Sequence, residues 1–277
     1  MRRWSMARAF SLDIVAGGMC GGMLAVHVTE ATMPPIWWAL LPAAIWVVYT
    51  MDHLMDARRI GSSARSLRHQ VHACHFRWLS PLTVLIGTAA CVAAFLWLPP
   101  VLLVPGLLVA FCVALYLIGT QLGRAGLWWK EPAAGLLYAV GIWYAPLVQS
   151  GEANGWTVLC LAMFAGAAVL NLLLCSLFEI ALDQEEGHGS SALAWGPGRV
   201  ERSARILALL GIGLAVAGVV AGPDRLGPAC AILGILAAGP LLVLARPAWF
   251  RSGDRYRVFG DLLFLLPALP WLLQRIP

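Results

Sequence analysis

Apolar residues run along this chain in continuous stretches, without the alternation of apolar and polar positions that marks a β-strand. A helix needs about 20 apolar residues to cross a bilayer. Nine stretches approach that length: 10–28, 35–51, 79–98, 101–119, 132–149, 156–178, 204–221, 226–245 and 257–273. Pro and Gly punctuate the joins, at Pro34-Pro35, Pro99-Pro100, Gly151 to Gly155 and Gly222-Pro223. The pattern predicts an all-α polytopic membrane bundle of about nine transmembrane helices, a single domain over 1–277. The third and fourth spans leave almost no loop between them and are expected to form a tight hairpin. The first is the weakest, since it carries Asp13 and His27. Arg2, Arg3 and Arg8 ahead of it imitate a secretory signal, but Asp13 interrupts the apolar run and no polar domain follows. A retained membrane helix is expected there.

Composition agrees. The 277 residues are 60% hydrophobic and 12% charged, where a soluble domain carries roughly 25% charged residues. Mean hydropathy is +0.79. These values exclude a soluble domain, a disordered chain and a coiled coil. The net charge of +5 comes from 18 Arg and Lys130, and it bears on orientation before nucleic acid. With the N-terminus inside, the inner segments hold 17 basic residues and the outer ones only Arg225 and Arg275. That asymmetry predicts a multi-pass protein of the cell inner membrane, with its N-terminus cytoplasmic. The two long polar segments, 52–78 and 179–203, then share the cytoplasmic face. The chain reads as two similar halves, each with such a segment after its second span. Seven Cys, an odd number with no C-x-x-C, read as free thiols.

Carboxylates mark the ends of two spans. In Y49-T-M-D52-H-L-M-D56 the acids Asp52 and Asp56 stand at i and i+4, on one helix face. In E179-I-A-L-D183 the spacing repeats with Glu179 and Asp183. Like charges one turn apart repel, and desolvation near hydrocarbon makes this worse. Mg²⁺, which takes carboxylate, phosphate and water oxygens, is one way to offset it. Two facing pairs could hold Mg²⁺ on a diphosphate, with Arg and Lys on the remaining anionic oxygens. The plainer reading is that these acids mark the membrane boundary, with Asp56 and Arg59, and Glu185 or Glu186 with Arg199 or Arg202, as solvated surface pairs.

At these residues the chain resembles the UbiA superfamily of intramembrane prenyltransferases, which has nine helices and two acidic motifs on cytoplasmic loops after helices two and six. D52-H-L-M-D56 matches the last two acids of the first motif, N-D-x-x-D-x-x-x-D, with Val48 and Tyr49 in place of the leading Asn and Asp. E179-I-A-L-D183-Q-E-E-G187-H-G-S190 matches the second in spacing, with Glu for its first Asp. W129-K130-E131-P-A-A-G135-L-L-Y-A-V-G141 looks like the basic residue and Gly-rich stretch at the family's fifth helix. The resemblance implies Mg²⁺-dependent transfer of an isoprenyl group from a prenyl diphosphate to an unidentified acceptor in the bilayer. It implies Asp52, Asp56, Glu179 and Asp183 as catalytic metal ligands, and Arg59, Arg68 and Lys130 as phosphate contacts. The departures from both motifs point to a divergent member. The alternatives are a non-catalytic membrane relative and a metal- or lipid-binding, transporter-like protein; a transporter would place ionisable residues near mid-membrane.

Other polar residues carry two readings each. Asn171 lies eight residues before Glu179, about two turns deeper on the same face; it lines a substrate cavity or makes an interhelical hydrogen bond. In R68-H69-Q-V-H72-A-C74-H75 three His spread over about 120° of a helix, as a solvated interfacial segment or a transition-metal site. Asp13 is expected to pair with Arg8 or another helix, or to contact an acceptor from the first span, and Asp261 to pair with Arg257 one turn away.

Overall fold

The computed structural model describes residues 8–60, 67–122, 127–151 and 153–273, and all regular structure among them is helical. The helices are α1 (Leu12–Thr29), α2 (Trp37–Ile60), α3 (Leu67–Cys74), α4 (Phe76–Trp97), α5 (Pro100–Leu122), α6 (Lys130–Ser150) and α7 (Gly155–Phe178). They continue with α8 (Ile180–Glu186), α9 (Ser191–Trp195), α10 (Pro197–Ala221), α11 (Gly227–Ala245), α12 (Pro247–Arg251), α13 (Arg255–Leu263) and α14 (Ala268–Leu273).

Their ends follow local chemistry. Asn154 caps α7 by accepting from the Thr157 amide at 2.9 Å, which satisfies an otherwise orphaned donor of the first turn. Gly151 ends α6 at φ +68°, where a side chain is strained. Pro197 and Pro247 open α10 and α12 at positions where no amide is needed.

Among the described residues, six helices are long and apolar enough to cross a membrane: α1, α4, α5, α7, α10 and α11, the last together with the turn before it. Leu85, Phe95, Val104 and Leu108 on α4 and α5 are 61–67% exposed. A face that apolar is covered by lipid, not water. The chain is a multi-pass, all-helical membrane protein. The expected spans 35–51 and 132–149 form helices of sufficient length, α2 and α6, outside the apolar six. The stretch 257–273 is divided: α13 stops at Leu263, tight i→i−3 turns follow, and α14 begins at Ala268. Pro267 has no amide, and its ring would meet the Leu263 carbonyl of a continuous helix. The expected hairpin of the third and fourth spans is joined by Leu98 and Pro99, but α4 packs chiefly on α2 and α5 on α6.

The core lies where α1, α2, α6, α7 and α11 meet, around the fully buried Trp143 and Phe164, whose rings are 6.0 Å apart. Contact between α6 and α7 depends on Gly135. A Cβ there would fall 2.6 Å from the Val169 amide nitrogen and 2.8 Å from its Cα, so only hydrogen lets the two backbones approach. This contact fixes the start of α6, where Lys130, five residues before Gly135, comes near Asp183 beyond the end of α7. All seven Cys are unbridged.

Candidate functional site: a carboxylate and histidine cluster at one end of the bundle

The second helix does not stop with its apolar stretch. It continues as one helix to Ile60 and carries Asp52, Asp56 and Arg59 beyond the expected span. Near it, α7 gives way at Glu179 to the short α8; the Asp183 amide donates to the Glu179 carbonyl at 2.8 Å, so these two acids also stand one turn apart. Both acidic segments converge on Lys130, which interacts electrostatically with Asp52, Asp56, Glu131 and Asp183. The separate placement of the two segments in sequence is thus resolved into one cluster.

The end of α8 brings a residue that the sequence did not single out. Gly187 adopts φ +68°, its amide donates to the Gln184 carbonyl at 3.3 Å and the His188 amide to the Asp183 carbonyl at 2.8 Å. This paired closure needs a left-handed residue, which Gly supplies. It folds His188 back over the helix end. There His188 meets α2: its Nδ1 accepts from Arg59 Nη2 at 3.1 Å and lies 3.9 Å from Asp56 Oδ2. The His69 ring from α3 stacks on it at 5.3 Å between centroids. His69 Nδ1 donates to Glu186 Oε2 at 2.8 Å, and its Nε2 lies 3.8 Å from Asp56 Oδ2. Gln121 on α5 donates to Asp56 Oδ1 at 3.1 Å.

These contacts decide between several readings. Asp56 and Glu186 are not solvated surface acids; the Glu186 side chain is 2% exposed. The histidine run is not a solvated segment either: His72 is fully buried and His69 belongs to the cluster. Asp13 does face Arg8, at 3.8 Å. Asp261, expected to pair with Arg257, is instead bridged by Arg8 at 3.4 Å. Arg257 turns to Glu179.

Glu179 therefore has protein partners. Its Oε1 accepts from the Tyr256 hydroxyl and from Arg257 Nε, each at 2.5 Å, and Arg257 Nη2 donates to Oε2. Asn171, deeper on α7, faces the same helix: a Cβ at Gly260 would lie 2.3 Å from its Oδ1. Asn171 packs against α13. Arg68 lies on α3 by its backbone, with its side chain outside the described residues.

On the other side of Lys130, Glu131 is buried and accepts from the Ser191 amide at 2.8 Å and the Ser191 hydroxyl at 2.6 Å. This ties the start of α6 to the segment after α8. The neighbouring Ser190 hydroxyl is buried and meets no partner at hydrogen-bond geometry among the described residues, yet lies close enough to Asp183 to ease its ionisation. Burial nonetheless pushes the Asp183 carboxyl up to about 7; Glu179 and Glu131 add to the rise, while Ser190 and Lys130 oppose it. Burial lowers His188 to about 4, with Asp56 opposing and Lys130, His69 and Arg59 reinforcing. Both groups lie on the segment after α7, outside the apolar spans. At neutral pH the histidine is an uncharged imidazole, whose one in-plane lone pair, on Nδ1, faces Arg59.

No known protein family matches the chain by sequence profile, and no curated protein matches it significantly.

Proposed function

We propose that the chain is a divergent UbiA-like prenyltransferase, transferring an isoprenyl group from a prenyl diphosphate to an acceptor held in the membrane. The observation that carries this reading is the convergence of Asp52, Asp56 and Asp183, from segments far apart in sequence, on Lys130 at one end of an apolar bundle. In this reading that end is cytoplasmic, and α2, α6 and the divided α13–α14 unit bring the crossings to nine.

The donor set fits Mg²⁺ in part. Asp52, Asp56 and Asp183 offer hard oxygen ligands. Glu179 does not, because Arg257 and Tyr256 engage both of its oxygens. Its role in this reading is positional: it anchors the start of α8, and hence Asp183, to α13. When bound, Mg²⁺ would supply Lewis-acid stabilisation of the charge that builds on the departing diphosphate. Lys130 would hold diphosphate oxygens as a point charge, with Arg59 and Arg68 supplying further contacts at the rim. The apolar helices would hold the prenyl tail and keep water from the allylic centre as its C–O bond breaks. Asn171, packed on α13, keeps the wall of that region in place rather than contacting donor.

The test is transfer itself: purified protein, labelled prenyl diphosphates of several chain lengths, a native lipid extract as acceptor source, with and without Mg²⁺. Mg²⁺-dependent labelled product supports the reading. No product with any donor overturns it in favour of a second reading, a non-catalytic metal-binding membrane relative, which the capture of Glu179 by Arg257 favours.

A further inference from the structure

We propose that Asp56, His69 and His188 form a binding site for a divalent transition-metal ion of the zinc class, with Glu186 as the carboxylate that orients both imidazoles. One ligand atom from each of the three lies within 4.8 Å of the other two. Three such atoms at the usual metal–ligand distances of about 2.0–2.2 Å stand about 3–4 Å apart, so closure requires only side-chain adjustment.

The nitrogen assignments follow from the partners. His69 donates from Nδ1 to Glu186 Oε2 at 2.8 Å, so its neutral ring presents an Nε2 lone pair, 3.8 Å from Asp56 Oδ2. His188 presents Nδ1 to the same oxygen at 3.9 Å. Its lone pair there is turned toward a cationic group, since Arg59 Nη2 donates to it at 3.1 Å. The far nitrogen, Nε2, is buried, has no hydrogen-bond partner among the described residues and lies 3.7 Å from Glu186 Oε2. A proton on that Nε2 would have one acceptor, the same carboxylate that already fixes His69. Metal-ligating histidines commonly donate their other ring nitrogen to a carboxylate, which fixes the tautomer and raises ligand basicity. Here Glu186 Oε2 holds His69 and stands 3.7 Å from His188 Nε2, so that a small side-chain adjustment would let it orient the second ring too. Asp56 is itself held by Gln121 on its other oxygen.

The ligand set decides the metal class. Imidazole nitrogens suit zinc, iron, cobalt and nickel, while Mg²⁺ prefers an all-oxygen shell. Two His and one carboxylate leave a position open for water or an anionic ligand. The exposed Arg59 side chain would give up its bond to Nδ1 and stay beside that position. The site stands apart from the prenyl-transfer reading; of its three ligands only Asp56 is common to both, and Arg59 borders both.

The experiment reads metal, not turnover. Full-length protein in detergent is stripped with chelator, loaded with Zn²⁺ in the presence of excess Mg²⁺, dialysed, and its metal content measured. In parallel, Co²⁺ is titrated and the visible absorption of low-coordinate Co²⁺ recorded. The parent should retain one Zn²⁺ per chain against excess Mg²⁺ and show the Co²⁺ band. His69→Gln and His188→Gln should each abolish both. Glu186→Gln should weaken retention by about 10- to 100-fold, and His75→Gln should match the parent. Thermal unfolding of each variant checks the fold, and His69→Gln, the less buried of the two ligands, carries the test if His188→Gln does not fold. Failure of the parent to retain Zn²⁺, displacement by Mg²⁺, or retention unchanged in His69→Gln overturns the site.

Discussion

Arg257 grips Glu179 with two guanidinium nitrogens, one to each carboxylate oxygen, and Tyr256 donates to the same acid. The pair ties the end of α7 to α13, two elements 77–78 residues apart in the chain. Side-chain exposure is 20% for Arg257 and 13% for Glu179, so removing either partner leaves a poorly hydrated charge. Arg257→Ala should cost about 2–3 kcal/mol, less than the roughly 3–5 kcal/mol of a fully buried pair. Unfolding measurements on Arg257→Ala, Glu179→Gln and the double variant check it. The double variant should be closer to the parent than Arg257→Ala alone; a double cost equal to the sum of the two single costs would show that the pair is not coupled.

Two glycines of α6 should respond with opposite signs. Alanine at Gly135 drives its Cβ into the Val169 backbone, whereas at Gly141 the nearest atom is 4.0 Å away. Gly135→Ala should destabilise by about 1–3 kcal/mol through overpacking. Gly141→Ala should gain about 0.5–1 kcal/mol from helix propensity. Thermal midpoints in one detergent distinguish them, and no loss in Gly135→Ala would contradict the described α6–α7 contact.

Asp183 and His188 impose opposite pH dependences on stability. The folded chain holds the Asp183 proton up to about 7, against an ordinary 3.8, so this group stabilises fully below about pH 4 and its contribution is lost as pH rises through 7. His188 titrates near 4 instead of 6.5, so its contribution is present above 6.5 and lost as pH falls through 4. Between pH 4.5 and 6.5 the two slopes, each at most about 1.4 kcal/mol per pH unit, oppose one another. Relative to the parent, Asp183→Asn should therefore tilt stability upward with pH across that window, and His188→Gln should tilt it downward. Denaturation midpoints at three pH values, taken on metal-stripped protein, read the slopes directly.

If Asp52 and Asp183 hold Mg²⁺ on a departing diphosphate, Asp52→Asn and Asp183→Asn should each lower prenyl transfer by about 10²- to 10⁴-fold. Each removes a charge and almost no volume. Lys130→Ala should chiefly weaken donor binding, and Glu185→Gln, which is exposed, should do little. Rates at matched expression and thermal stability check this, and full activity of the Asp52→Asn/Asp183→Asn double variant would sink the mechanism.

Continuous hydropathy is a local property, and it determined by itself that this chain is helical and crosses a membrane several times. The equal i, i+4 spacing of Asp52–Asp56 and Glu179–Asp183 was legible for the same reason, because helix geometry fixes it within one turn. Tertiary structure alone decided which acids are shared with which cations. Glu179 and Asp183 look equivalent in sequence, yet α13 supplies Arg257 to one while Lys130 lies beside the other. His188 gave only a faint signal, a His between two glycines after an acidic run. Its meeting with Asp56 and His69 depends on the left-handed turn at Gly187 and on packing between segments more than 110 residues apart. The break at 264–267 shows the converse limit. Hydropathy reads that stretch as one span, but the backbone there answers to Pro267, whose missing amide and bulky ring outweigh an apolar pattern.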